Sequence, residues 1–249
     1  MKFLKIESIH DYKIVKLNRP EVKNAFHPDM IAEITDVFQQ LNLEKNIKAV
    51  VLAGEGNIFS AGADLNWMKE MIKYSFEDNL KDSEKLWNMF EAIAFCERPV
   101  IGVIQGAVYG GALGLVACCD YVFAEEKTQF CFSEVKIGLV PAIISSFLLK
   151  KIPDSHIRPL LLSAEVFNTE KAKSMGLVQS VFSGTNDLEN NLKLFNQNGL
   201  EAMRETKKLL NQLSAATWNE QKKLTTQIIS ERRVSAEGQS RLQKFIDKK

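Results

Sequence analysis

The sequence predicts an α/β fold made of parallel strand–helix–strand units, followed by a helical C-terminal region. Short, wholly apolar runs, helix-spaced apolar positions between them, and a change of charge near residue 198 carry that prediction. Ile14 to Leu17 reads as a strand, stopped by Asn18-Arg19-Pro20. A helix follows over about Pro28 to Gln40, with Ile31, Ile34, Val37, Phe38 and Leu41 at helical spacing. Ala49 to Ala53 is a continuous apolar run ending at Gly54, the pattern of a strand covered on both faces. Val100 to Ile104, preceded by Pro99, repeats it, and so does Tyr121 to Ala124. Glu84 to Ala94 and Gly111 to Cys119 read as helices between these runs. From Gly199 onward there are eleven Lys/Arg against six Asp/Glu, whereas the preceding part is net acidic. Leu209, Leu210 and Leu213, then Leu224, Ile228 and Ile229, recur there at helical spacing. We therefore divide the chain into a core over residues 1–195 and a helical region over 196–249. The charge excess reads as a solvated face, and the apolar positions call for a partner surface.

Composition narrows the function classes. A hydrophobic share of 45% and a charged share of 25% over 249 residues suit a folded domain with a small appendage and exclude disorder as the main state. A net charge of +1 disfavours a nucleic-acid binder, whose affinity rests on neutralising many phosphates. Charges interrupt the first eleven residues, so no signal-peptide core is expected, and no apolar run reaches membrane-span length. Cys96, Cys118, Cys119 and Cys131 form no Cys-x-x-Cys pattern. They read as small buried hydrophobes in a reducing, cytoplasmic setting.

Several chemistries are missing. There is no Gly-x-Ser-x-Gly elbow and no phosphate-binding Gly-Lys-Ser/Thr loop. His10, His27 and His156 lack zinc-ligand spacing and sit among turn residues, so all three are expected on the solvated surface and no metal is expected. In Tyr109-Gly110-Gly111-Ala112-Leu113-Gly114 a tyrosine stands where a dinucleotide fingerprint needs its first glycine.

What stands out is a pair of small-residue turns, each placed to open a helix. One is Asn57-Ile58-Phe59-Ser60-Ala61-Gly62-Ala63-Asp64-Leu65-Asn66, the other Gln105-Gly106-Ala107-Val108-Tyr109-Gly110-Gly111-Ala112. Small residues let a ligand approach backbone N–H groups, and a helix N-terminus aims such groups at negative charge. Together the two turns could hold one oxyanion. Either turn alone is equally well explained by tight strand–helix packing.

These turns belong to a longer set of ordered blocks: Leu17-Asn18-Arg19-Pro20-Glu21-Val22-Lys23-Asn24-Ala25-Phe26, Phe59 to Leu65, Gly106 to Gly111, Cys119-Asp120, Phe130 to Pro141, and Ala172-Lys173-Ser174-Met175-Gly176-Leu177-Val178. In them the chain resembles the crotonase superfamily, the enoyl-CoA hydratase/isomerase family, over nearly its whole length. The Ala-Asp-Leu-Asn-Trp-Met and Ser-Glu-Val-Lys-Ile-Gly-Leu stretches are most similar to bacterial methylglutaconyl-CoA hydratases of leucine breakdown. The resemblance implies a ββα spiral core with a C-terminal helical trimerisation region, an acyl-CoA thioester as substrate, and a homotrimer or hexamer. It implies no cofactor beyond the coenzyme A of the substrate. Carried over by motif, the backbone N–H groups of Ala63 and Gly111 hold the thioester oxygen, and Glu134 is the acid/base. Val22, Ala25, Ala61, Ala63, Asp64, Leu65, Tyr109 and Gly111 line the substrate. The implied reaction is hydration of a short, straight or branched 2-enoyl-CoA such as 3-methylglutaconyl-CoA, with Δ3-Δ2 isomerisation or other CoA-enolate chemistry as the alternative; a non-catalytic acyl-CoA-binding protein ranks behind both.

One position departs from the pattern. Two-glutamate hydratases place a second Glu three residues after the second oxyanion glycine, and here that residue is Gly114. The expectation is that Gly114 leaves space for a water or a small polar side chain, with Tyr109, Asn66 and Ser145 as candidate helpers of Glu134.

Overall fold

A computed structural model describes residues 1–184 and 188–247. The chain starts with a hairpin, β1 (Leu4–Ile9) and β2 (Tyr12–Leu17), turned at His10, whose φ of 52° is left-handed. β1 was not foreseen. A 3₁₀ turn (Pro20–Val22) leads to helix α1 (Pro28–Leu41), which starts with Pro28 at its first position and with His27 as cap. Then come β3 (Ala49–Gly54), α2 (Leu65–Met71), α3 (Phe76–Ala94), β4 (Val100–Ile104), β5 (Ala107–Tyr109) and α4 (Ala112–Cys118). β6 (Tyr121–Glu125), β7 (Gln129–Cys131), a second 3₁₀ turn (Glu134–Ile137), α5 (Ala142–Lys151) and α6 (Asp154–Ser163) follow. β8 (Phe167–Asn168), α7 (Thr169–Ser174), β9 (Ser180–Phe182), α8 (Leu188–Asn196), α9 (Leu200–Leu213), α10 (Trp218–Val234) and α11 (Ala236–Ile246) complete it. Lys248 and Lys249, the end of the expected helical region, lie outside the described residues.

The large sheet has the order β1-β2-β3-β4-β6-β9 and is parallel except for the opening hairpin. A small sheet has the order β5-β7-β8. Successive strands alternate between the two: β4 and β6 enter the large sheet, β5 and β7 the small one. Each turn of this spiral then returns through a helical segment, and the small-sheet strands carry the chain to the turns that matter below.

Both faces of the central strands β3, β4 and β6 are covered, which is why they read as apolar runs. Val50 and Leu52 face the main core with Ile31, Ile34 and Phe38 of α1, while Val51, Ile101 and Phe123 face the opposite side beneath Leu192 of α8. Each such buried side chain contributes on the order of 1.5–3 kcal/mol. α3 starts earlier than its apolar spacing suggests because Ser75 and Asp78 form a capping box. Lys151 donates to the carbonyls of Cys119 at 2.7 Å and Val116 at 3.4 Å, a cation placed at the C-terminal end of α4.

All four cysteines are buried and free, and burial pushes the Cys119 thiol up to about 12. His10 and His156 are exposed as expected, but His27 is not a simple surface residue. Its Nδ1 accepts the Met30 N–H at 3.3 Å and its ring stands edge-on to Phe3, so it works as a helix cap. The expected break at 195/196 falls at the end of α8. α9 is tied to the core by Lys207, whose Nζ lies 2.7 Å from Asp120 and donates to the Arg98 carbonyl at 3.2 Å. α10 and α11 bury no residue, and Ile229, Val234, Phe245 and Ile246 stay exposed.

Candidate active site

The two small-residue turns are stitched together by backbone. Ser60 and Val108 form an isolated parallel bridge, with Ser60 N–H donating to the Ala107 carbonyl and Tyr109 N–H to the Ser60 carbonyl, each at 3.2 Å. Gly62 then passes so close to the second turn that a Cβ there would stand 2.6 Å from the Tyr109 carbonyl oxygen. Its φ of 90° also excludes an L side chain.

A second isolated parallel bridge sets the direction of Ala63. Phe26 N–H donates to the Gly62 carbonyl and Asp64 N–H donates to the Phe26 carbonyl, both at 2.7 Å. The peptide groups on either side of Ala63 are thereby used, and its own N–H points away from the bridge. Among the described residues no acceptor meets that N–H, and none meets the N–H of Gly111. Gly111 caps α4, and a Cβ on it would lie 3.4 Å from the Phe26 ring. Two unspent donors thus stand on neighbouring turns, one at a helix N-terminus.

Glu134 reaches the same place through the small sheet. β5 pairs in parallel with β7, matching Tyr109 with Cys131, and Gly110 N–H donates to the Cys131 carbonyl at 2.9 Å. The chain then turns into the 3₁₀ segment that Glu134 opens. A Cβ on Gly110 would sit 3.3 Å from Ser133 Oγ and 3.7 Å from Glu134 Oε1, which places the carboxylate beside the turn before Gly111. Glu134 is half-buried, and its Oε2 is buried without a hydrogen-bond partner among the described residues. Burial pushes its carboxyl above the usual range, opposed only by its own backbone N–H.

Val22, Ala25 and Ala61 gather at the neighbouring turn: Ala25 N–H donates to Val22 at 3.2 Å and Ala61 N–H to the Lys23 carbonyl at 2.9 Å. Leu65 is 73% exposed at the start of α2, and Tyr109 is half-buried at the end of β5. The carboxylate of Asp64 is used internally: it caps α2 through Asn66 N–H at 2.8 Å and pairs with Arg19 at 2.9 Å. Its backbone is engaged too, the N–H by the Phe26 carbonyl and the carbonyl by Met68 N–H at 2.9 Å. Two of the larger clefts, about 560 Å³ beside α9 and about 660 Å³ at the end of the large sheet, include none of these residues.

The expectation for Gly114 is corrected. The position does not leave space: a Cβ there would lie 2.6 Å from the Phe90 ring and 2.7 Å from Ile144 Cγ2. α3 and α5 supply these two buried side chains and fill the place where a glutamate would start. Ser145 spends its hydroxyl proton on the Pro141 carbonyl at 2.6 Å, which leaves it an acceptor only. Asn66 lies in an open cleft with His27, Asp29 and Glu70. Sequence reading missed Phe90, Ile144 and Arg19. A charged residue held inside the Asn-Arg-Pro turn was the one available signal among them.

Residues 11–249 match the Enoyl-CoA hydratase/isomerase family, so the chain belongs to that family, within the crotonase superfamily. Its fold matches the crystal structure of an enoyl-CoA hydratase from Shewanella pealeana with a TM-score of 0.90, 32% identity, and coverage of 99% of this chain and 94% of that one. The mitochondrial enoyl-CoA hydratase of Pongo abelii is 31% identical over 169 residues, 68% of this chain and 57% of that protein. The mitochondrial Delta(3,5)-Delta(2,4)-dienoyl-CoA isomerase of Mus musculus is 33% identical over 178 residues, 68% of this chain and 54% of that protein. The matched region spans 54% to 66% of the length of the first curated relatives.

Proposed function

We propose that the chain is an enoyl-CoA hydratase that adds water to a short, branched 2-enoyl-CoA, with 3-methylglutaconyl-CoA as the candidate substrate. The observation that carries this reading is the half-buried Glu134 carboxylate, with Oε2 unpartnered, beside two turns with unspent N–H groups. In the proposed mechanism the N–H groups of Ala63 and Gly111 hold the thioester oxygen, and negative charge gathers there as the double bond is attacked. Glu134 takes a proton from water while the hydroxide portion bonds to C3. The resulting enolate is then protonated at C2 by the same carboxyl, which returns to its ionised state. Water is thus added across one face, and a single group serves as base and then as acid. Desolvation suits it to both tasks by bringing its pKa towards the working pH. The reading requires no cofactor or metal.

The apolar filling around Gly114 supports a second reading. With Phe90 and Ile144 in the place of a second carboxylate, a second side-chain anchor for water is missing from α4. The same Glu134 could instead move a proton from C2 to C4 of a 3-enoyl-CoA, a Δ3-Δ2 isomerisation. A panel of crotonyl-CoA, 3-methylglutaconyl-CoA and a 3-enoyl-CoA, followed by the ultraviolet absorbance of the conjugated thioester, decides between them. Loss of absorbance with the first two supports hydration, and gain with the third alone supports isomerisation. No turnover of any of them rejects catalysis on enoyl thioesters.

A role in leucine breakdown, a cytoplasmic setting and a homotrimer or hexamer belong to the same proposal. The four free thiols support the setting, and the exposed apolar residues of α10 and α11 support assembly with further copies. Among the described residues no helix is long and apolar enough to cross a membrane.

A further inference from the structure

We propose that Arg19 is a positioning residue for the oxyanion hole: by clamping Asp64 to the Ala25 carbonyl, it fixes the direction in which the Ala63 N–H points. The proposal rests on the reading that this N–H holds the thioester oxygen. Arg19 Nη1 donates to the Ala25 carbonyl at 2.7 Å, and Nη2 donates to Asp64 Oδ2 at 2.9 Å. Ala25 directly precedes Phe26, and Asp64 directly follows Ala63. The guanidinium therefore closes a ring around the Phe26–Ala63 bridge.

That ring is needed because the bridge stands alone. In a continuous ladder each pair is kept in register by the pairs before and after it, whereas here two hydrogen bonds must hold the peptide planes around Ala63 unaided. Arg19 supplies side-chain bonds where the ladder has none. Its own backbone is fixed as well, since Arg19 N–H donates to Asn24 Oδ1 at 2.8 Å. Asn24 is fully buried with a left-handed φ of 53°, and its Nδ2 donates to the carbonyls of Glu55 and Ile58 at 2.9 Å each. The clamp is thus anchored to the strand end beneath it.

The charge state fits the role. Burial alone would raise the Asp64 carboxyl, but the Asn66 N–H and the Arg19 guanidinium outweigh it and hold the carboxyl below its usual value. Asp64 remains an acceptor for both partners. A lysine at position 19 could neutralise Asp64 as a point charge, but it lacks the fork that also reaches Ala25.

The test uses the intact chain with Arg19→Met and Arg19→Lys. The probe is an arylacryloyl-CoA, whose absorption band moves to longer wavelength when its carbonyl oxygen is polarised. Misplacing one oxyanion donor should lower kcat in Arg19→Met by roughly 10–100-fold. KM should stay within about threefold, thermal unfolding should stay cooperative, and most of the red shift of the bound probe should vanish. Arg19→Lys should fall between this variant and wild type in both kcat and red shift, and it carries the test if Arg19→Met does not fold. A full red shift with unchanged kcat in either variant overturns the clamp. A raised KM with unchanged kcat also overturns it, by making Arg19 a ligand contact. Wild type that binds the probe without any red shift removes the oxyanion reading itself, and the proposal with it.

Discussion

Gly114→Glu restores on α4 the carboxylate that two-glutamate hydratases carry, and we expect it to damage the protein rather than improve it. The first added atom already has no room. The Cβ would stand 2.6 Å from Phe90 Cε1 and Cζ and 2.7 Å from Ile144 Cγ2, against an ordinary carbon contact of about 3.5–4.0 Å. Neither neighbour can swing into solvent, because Phe90 is 0% and Ile144 3% exposed. Overpacking on this scale costs about 1–3 kcal/mol. The carboxyl would then be buried without a partner, adding several kcal/mol unless it stays protonated. Replacing a helical glycine gains back only about 1 kcal/mol at most. The net loss is therefore at least about 3 kcal/mol, a fall in melting temperature of roughly 6–12 °C for a chain of this size. Thermal melts by circular dichroism at acid and alkaline pH test it. The loss should be greater at alkaline pH, where the unfolded chain's carboxyl ionises freely while the buried one must ionise in an apolar site or keep its proton above the unfolded pKa. Gly114→Ala, which keeps the Cβ clash alone, should lie between Gly114→Glu and wild type. A Gly114→Glu protein that melts with wild type, or hydrates faster than it, would show that position 114 opens on the substrate and would refute the packing account.

The difference between what could be read in advance and what could not is physical. Ala49 to Ala53 and Val100 to Ile104 were legible because a strand buried on both faces needs an apolar residue at every position. The turns at Gly62 and Gly110 were legible because left-handed φ and close backbone contact leave glycine as the residue that fits. Glu134 was named by its motif, and its half-buried position follows from its place after β7 at the start of the 3₁₀ turn. By contrast, β5, β7 and β8 are two or three residues long, too short for any periodicity to mark them. The filling at Gly114 comes from Phe90 and Ile144, residues of two distant helices, and no local pattern couples them to position 114. Asp64 was expected to meet substrate, yet its side chain is spent on Arg19 and on the cap of α2, a pairing across 45 residues. Local backbone demands write themselves into the sequence, whereas the identity of a side chain's partner depends on how distant elements pack.

The remaining predictions concern assembly and Glu134. Light scattering at micromolar concentration should return a trimer or hexamer, since α10 and α11 leave Trp218, Ile229, Val234 and Ile246 exposed, and a 28.1 kDa particle would refute it. Glu134→Gln should lower kcat by about 10²–10⁴-fold with CoA affinity unchanged, because the amide keeps the shape but cannot exchange the proton. Activity within about threefold of wild type rejects the assignment. The same variant should also be more stable than wild type near neutral pH. Burial raises the Glu134 carboxyl, so the folded chain holds that proton more tightly than the unfolded chain does. Its favourable contribution is fully present below the unfolded pKa of about 4.3 and is lost as pH rises through the higher folded value. Above that value the ionised group is buried at a cost, and glutamine, which carries no charge, escapes the cost. Melting temperatures of the two proteins should therefore diverge as pH rises towards neutrality, with Glu134→Gln the higher, and the gap should narrow at acid pH. The acid limb of kcat/KM in wild type should likewise lie above the ordinary carboxylate value, because the base must be ionised to take its proton from water. An acid limb at the ordinary value, together with a gap in melting temperature that does not change with pH, would mean that solvent reaches the carboxylate and that burial does not set its proton affinity.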